Sequence, residues 1–183
     1  MKTILISGKS ASGKDQLAKY LYKYLDNKDY RVLIIHFADA VKFFAKEYFN
    51  WNGEKDEAGR TLLQKLGTDI VRKAYPTFWG EIVAKFISAT KESWDFVLIP
   101  DWRFINEGNI VKKFNKQTYT VRINRLNENG TYKLNPAFTK AQNEHISETE
   151  LDDYDFDYMI DNSGTLTDLA SNAAVLAKEI LCS

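Results

Sequence analysis

The sequence predicts an α/β fold in which a five-stranded parallel sheet is covered by helices on both faces. Three observations predict it. Five short apolar runs rich in β-branched or aromatic residues recur along the 183 residues. Helical patterns separate them, and a glycine-rich turn joins the first run to the first helix.

The runs are TILIS (3–7), VLIIHF (32–37), DFVLIP (95–100), TYTVRI (118–123) and FDYMI (156–160). Each is five or six residues of largely apolar character, as expected for strands buried on both faces. After the first run, Leu17, Leu21 and Leu25 repeat at four-residue spacing with Tyr20 and Tyr24 beside them, which places one helix face on the core. At the other end Leu166, Leu169, Ala173, Leu176 and Ile180 step by three and four. That pattern predicts an amphipathic helix capped by Thr165 or Thr167, with Asp168 in its first turn. Residues 38–91 read as helical throughout and separate the second strand from the third. Residues 125–155 form a polar stretch before the last strand, and a segment of that length in a compact domain is usually functional. No repeat or Pro/Gly-rich linker interrupts the chain, so residues 1–183 read as a single domain with two insertions.

Composition narrows the function classes. The chain is 44% hydrophobic, 27% charged and 14% aromatic, which is ordinary for a globular domain and argues against disorder. A chain of this size buries roughly 70% of its unfolded surface. The formal net charge is zero, so no long-range field would gather nucleic acid, and a basic site has to be local. The one cysteine, Cys182, excludes a disulfide framework within the chain. Two histidines 109 residues apart add no structural zinc site. MKTILIS is too short an apolar run for a signal peptide, and no run suits a membrane span. A cytoplasmic protein acting on small molecules, without nucleic acid or membrane, is the expectation. Oligomeric state is not legible in the sequence, a homodimer being one open arrangement.

The turn after the first strand reads GKSASGKD (8–15). G-x-x-x-x-G-K is a phosphate-binding loop when it links a strand to a helix, and here it does. Such a match arises by chance in roughly one chain in twenty, so the strand–loop–helix setting carries the weight. Backbone N–H groups of Gly8, Lys9, Ser10, Ala11, Ser12 and Gly13 and the positive end of the helix would cradle a polyphosphate. Lys14 would reach the β and γ phosphates, and Lys9 adds a second charge. Position 15 departs from the pattern: Asp15 stands where Ser or Thr usually holds Mg²⁺. A carboxylate is still a hard oxygen ligand, and an acid in the first turn of a helix is favourable. A second candidate metal ligand is Asp101, which ends the apolar run FVLIPD, where P-loop proteins place a Mg²⁺-holding aspartate. These features define a three-layer α/β/α P-loop NTPase.

Arg60, Arg72, Arg103, Arg122 and Arg125 cluster in or beside the excursions and strand ends. Phosphoryl transfer needs such charges to position two anions, and guanidinium suits phosphate bidentately. Other polar residues read as structural. His36, inside an apolar run, reads as a packed core residue. HISETE reads as a helix start with Ser147 as N-cap and Glu150 completing a capping box. ETELDDYDFD reads as a solvated face.

Taken together, GKSASGKD, HFADAVK, GRTLLQKLGTDIVR with Trp79, DWRFINE, EHISETEL and IDNSGTLTDL resemble phage-type deoxynucleoside monophosphate kinases, a P-loop branch. The resemblance runs nearly end to end. Ala40, Asp69, Trp102 and Ile105 depart from its usual residues, and Asp15 is shared with animal phosphomevalonate kinases. It implies transfer of the γ-phosphoryl group of ATP to a deoxynucleoside 5′-monophosphate with Mg²⁺ present. By analogy with nucleoside monophosphate kinases, residues 38–91 would bind the acceptor and 125–155 would form a lid. The resemblance implies Arg60 for the acceptor phosphate with Arg72 and Gln64 nearby, Arg103 and Arg125 for transition-state charge, and Asn162 for the adenine edge. Two alternatives remain open to the residues: a P-loop kinase for another phosphorylated small molecule, such as phosphomevalonate, and a nucleotide-binding regulator without turnover.

Overall fold

The computed structural model describes residues 1–54 and 56–183. All five expected strands form: β1 Lys2–Ser7, β2 Val32–Ile34, β3 Phe96–Ile99, β4 Thr118–Asn124 and β5 Tyr158–Asp161. They pair in parallel in the order β2-β3-β1-β4-β5, with β1 at the centre between β3 and β4. The order reverses at β1, so the crevice for a ligand opens beyond its C-terminal end.

Alternation along β1 divides the core in two. Ile4 and Ile6 face the side covered by α1 (Lys14–Asp26) and α8 (Leu166–Cys182). There Leu17, Leu21 and Leu25 meet Leu169, Ala173, Leu176 and Ile180. Leu5 faces the other side, with Val97, Ile99 and Trp102, under α4 (Phe78–Ala89) and α5 (Ile105–Phe114). Burying each of these Leu, Ile and Val side chains contributes roughly 1.5–3 kcal/mol. Of the two caps the sequence offers, Thr165 and Thr167, it is Thr165 that starts α8, in a reciprocal box with Asp168.

The helical excursion contains α2 (Phe37–Tyr48) and α3 (Glu57–Gln64), which runs on into a π-helical stretch, Lys65–Arg72, and then α4. Val41, Ala45, Leu66 and Trp79 give it a small core of its own, and the Trp79 indole N–H donates to the Gly67 carbonyl at 2.9 Å. Phe37 of α2 and Val83, Ala84 and Ile87 of α4 join the core under the sheet, so both ends of the arm are fixed to it.

Three expectations need correction. β2 stops at Ile34, and His36 is the N-cap of α2 rather than a core residue. Its backbone N–H donates to the Asp39 carboxylate at 2.9 Å, which starts the helix and leaves the ring part-exposed at its mouth. The N-cap of α7 (Ile146–Thr149) is His145, not Ser147, because the His145 Nδ1 accepts the Ser147 N–H at 3.2 Å. Glu150 instead accepts from the Ile105 N–H at 2.8 Å. The acidic run is also no uniform solvated face: Glu148 and Leu151 are buried, and Asp152 pairs with Lys9 and Arg122.

Candidate functional site

The glycine loop bends where side chains would obstruct it. Gly13 sits at φ 101, a left-handed conformation costly for residues with a Cβ, and a methyl there would lie 2.4 Å from the Asn162 Nδ2. At Gly8 a methyl would lie 2.4 Å from the Ile123 carbonyl oxygen. Ala11 takes φ 62 without being glycine, and with Gly13 it turns the backbone of the loop. α1 then begins at Lys14 with no side-chain cap on its first turn, which leaves the positive helix end open to an anion.

Beyond the loop lies a cavity of about 520 Å³. Ser10, Ala11, Lys14 and Asp15 of the loop and first helix line it together with Arg60, Thr68, Arg72 and Trp79 of the helical arm. Asp101, Arg103 and His36 line it as well. An adjoining hollow of about 310 Å³ carries Gln64, Arg60 and Arg103 together with Phe138 and Glu148 of the polar segment. The sequence-predicted Lys14, Asp15, Arg60, Arg72, Asp101 and Arg103 therefore share one cleft, and Gln64 opens onto its neighbour. Arg125 does not line either hollow; its carbonyl accepts the Lys133 N–H at 2.8 Å. Asn162 touches the loop rather than the cavity, donating to the Ser12 carbonyl at 2.8 Å.

Charge is dense here. The Lys14 ammonium is buried and donates to the Gly8 and Lys9 carbonyls, both at 2.8 Å. Burial first, and then the Arg103 guanidinium, push its pKa down to about 7, against the pull of Glu148 and Asp15. His36 faces Asp15 at 3.6 Å and Asp39 at 3.4 Å, and these carboxylates raise the imidazole to about 9. Asp101 accepts the N–H groups of Phe37 and Ala38, both at 2.9 Å, and so anchors the start of α2 to the end of β3. Burial raises its pKa, while His36 and those two bonds oppose the rise.

Arg72 pairs with Glu107 at 2.8 Å and stacks on Phe104, its guanidinium 3.8 Å from the ring centroid. Glu107 is 2% exposed and also accepts the N–H groups of Arg103 and Phe104. Burial pushes its carboxyl up to about 7, opposed by Arg72. Arg60 lies over the ring of Phe138 at 5.9 Å.

Sequence reasoning assigned no functional role to His36, Glu107, Phe138 or Glu148. His36, Glu107 and Glu148 lay inside stretches already singled out, HFADAVK, DWRFINE and EHISETEL, where a cap or a buried partner is a signal available only once the helix starts are placed. Phe138 sits in a polar segment without periodicity, and nothing local marks it.

Mg²⁺ binds proteins through one or two carboxylates together with substrate phosphates and water, not through an all-protein cage. The cavity fits that chemistry: Asp15 and Asp101 line it with Lys14, and no group of three His, Cys, Asp or Glu suited to a metal occurs among the described residues.

A family model described as deoxynucleotide monophosphate kinase matches residues 34–173. No curated protein matches. Solved structures share the fold at low identity. An APS kinase from Mycobacterium tuberculosis, in complex with AMPPNP and APS, is 11% identical with a TM-score of 0.52, covering 100% of this chain and 98% of its own. A shikimate kinase from Aquifex aeolicus is 14% identical with a TM-score of 0.52, covering 98% of each chain. A gluconokinase from Sinorhizobium meliloti is 13% identical with a TM-score of 0.52, covering 99% and 96%.

Proposed function

The chain belongs to the deoxynucleotide monophosphate kinase family, and on that premise we propose that it transfers the γ-phosphoryl group of ATP to a deoxynucleoside 5′-monophosphate. The products are the deoxynucleoside diphosphate and ADP. The observation that carries this reading is a single cleft lined both by the glycine loop with Lys14 and by Arg60 and Arg72 of the helical arm. Two anionic ligands, one on the loop and one on the arm, would share a cleft that Arg103 also lines.

In this reading the uncapped start of α1 and Lys14 take the β and γ phosphates. Asp15 and Asp101 would hold Mg²⁺, which when bound neutralises charge on those phosphates. Arg60 and Arg72 orient the acceptor phosphate, Gln64 lies close by, and Phe104 and Trp79 offer apolar walls. An acceptor phosphate oxygen attacks the γ-phosphorus while the bond to the β-phosphate oxygen breaks. The acceptor is already anionic near neutral pH, so no side chain has to remove a proton. Catalysis then rests on alignment, exclusion of water and positive charge from Lys14 and Arg103. Arg125 lines neither hollow, and a contribution from it to transition-state charge is the part of this proposal with no contact behind it. Asn162 supports the loop, and its place at the adenine edge is part of the same proposal.

The helical arm, residues 38–91, and the polar segment, residues 125–155, are the acceptor-binding and lid elements of this reading. A coupled ADP-release assay across all deoxynucleoside and ribonucleoside monophosphates tests it. We expect stimulation by at least one deoxynucleotide in the presence of Mg²⁺, and its loss in Lys14→Ala. ADP release that no monophosphate raises above background would sink the proposal.

A further inference from the structure

Glu148, which lines the adjoining hollow, is a feature that the proposed chemistry leaves unused. It lies on the short α7, in the polar segment, and its side chain is only 5% exposed. One carboxylate oxygen accepts the backbone N–H of Ser10, in the middle of the glycine loop, at 2.7 Å. The other accepts from the Arg103 guanidinium, whose same nitrogen also donates to the Ser147 carbonyl at 2.9 Å. The main chain of Glu148 is held as well, because Lys9 donates to its carbonyl at 2.7 Å. Lys9 also pairs with Asp152, which binds Arg122 at 2.6 Å. Asn135 adds a bond from the polar segment to the Ser10 hydroxyl at 2.9 Å.

A buried carboxylate that bridges a loop N–H to a guanidinium does more than tie two segments together. Lys14 and Arg103 line the same cavity, and two cations held close without a polyanion repel each other. The free guanidinium would gain by swinging into water. With Glu148 in place, Arg103 keeps a charge-assisted bond that opposes this movement. We infer that Glu148 is a positioning residue: it holds Arg103 beside the glycine loop before any nucleotide arrives, so that the guanidinium need not be recruited during phosphoryl transfer. This deepens the kinase reading and rests on it for its catalytic consequence. The geometric claim stands on the contacts alone.

The chemistry distinguishes positioning from simple stapling. In Glu148→Gln the amide oxygen can still accept the Ser10 N–H, so the staple survives, while the charge that retains Arg103 is gone. Misplacing a transition-state group costs roughly 10- to 100-fold in rate. We therefore expect kcat to fall by that factor in Glu148→Gln and in Arg103→Gln alike. The double variant should be no worse than Arg103→Gln alone to within about twofold, because both changes remove the same effect. KM for either substrate should move less than about threefold. Multiplying effects, an unchanged Glu148→Gln, or a faster one would overturn the inference; a faster variant would mean that Glu148 blocks the loop instead.

A second arm does not depend on turnover. Phenylglyoxal labelling of Arg103, followed by peptide mass spectrometry on the ligand-free full chain, reports whether the guanidinium is held. Labelling should be on the order of tenfold faster in Glu148→Gln than in wild type, at a Tm unchanged to within about 3 °C. Equal labelling rates overturn the inference. A wild type that phosphorylates no monophosphate removes the kinase reading, and labelling then decides the positioning claim by itself.

Discussion

Raising the pH from 6 to 8 should weaken ATP binding to the wild type about tenfold relative to Lys14→Arg, a figure that follows from the buried ammonium. Burial, and then Arg103, hold Lys14 at about 7 instead of 10.5. A polyphosphate resting on the ammonium adds negative charge and restores a high pKa. The sign follows from proton counting. Below pH 7 Lys14 carries its proton in both states, so binding takes up none. Above pH 7 the free protein has lost it, and binding has to take up about one proton. Affinity then falls toward tenfold per pH unit, about 1.4 kcal/mol. The terminal phosphate of ATP gains charge over the same range and pulls the other way, near pH 6. Arginine stays charged throughout, so the ratio of the two dissociation constants cancels the phosphate. Titration calorimetry at pH 8, in two buffers of different protonation enthalpy, should show nearly one extra proton taken up by the wild type. A ratio that stays flat from pH 6 to 8, with no extra uptake, refutes the reasoning.

The remaining expectations concern stability. His36 is raised to about 9 by Asp15 and Asp39, so its stabilising charge is fully present below pH 6.5 and is lost as pH rises through 9. With the ring part-exposed, the loss is about 1–3 kcal/mol, and thermal melts of wild type against His36→Gln at pH 6 and pH 9 should show the difference shrinking by that amount. Gly13→Ala places a methyl 2.4 Å from the Asn162 Nδ2 at φ 101; urea denaturation should register a loss of about 1–3 kcal/mol. Adding Asn162→Ala should recover the steric share of that loss and not the backbone share. Glu107→Ala strips Arg72, whose side chain is 13% exposed, of its carboxylate, and the same assay should show about 3–5 kcal/mol. A cost below about 1 kcal/mol would mean that the guanidinium finds water or another acceptor.

Much of the fold was legible because its signals are local and repetitive. Leu17, Leu21 and Leu25 declare a buried helix face, TILIS and FVLI declare strands, and Thr165 with Asp168 declares a cap. The glycine loop was legible because its bends require glycine at chosen positions. What escaped was decided by partners far away in sequence. VLIIHF looks uniformly apolar, yet the strand ends at Ile34 because Asp39 captures the His36 N–H. The acidic run looks solvated, yet Glu148 is buried because Ser10 and Arg103 meet it from 138 and 45 residues away. Trp102 looked like a departure from a family motif, but it is a core residue, stacked edge-on against Tyr154 and lying against Gly108. Periodicity reports which side faces the core; it carries no information about which buried charge finds which partner.

The central place of β1 bears on how the chain reaches its native state. β1 is bordered by β3 and β4, whose paired residues are 96–99 and 118–122. During synthesis the apolar TILIS segment therefore leaves the ribosome roughly ninety residues ahead of its first neighbour, a delay of roughly 5–20 s at ordinary elongation rates. Throughout that interval both of its edges lack partners, a state that favours aggregation and capture by chaperones. The phosphate loop, hung from the end of β1, takes its final shape only when β4 arrives and Ile123 closes over Gly8. Nucleotide binding is thus a late event in folding, and a bound triphosphate would report that the sheet is complete.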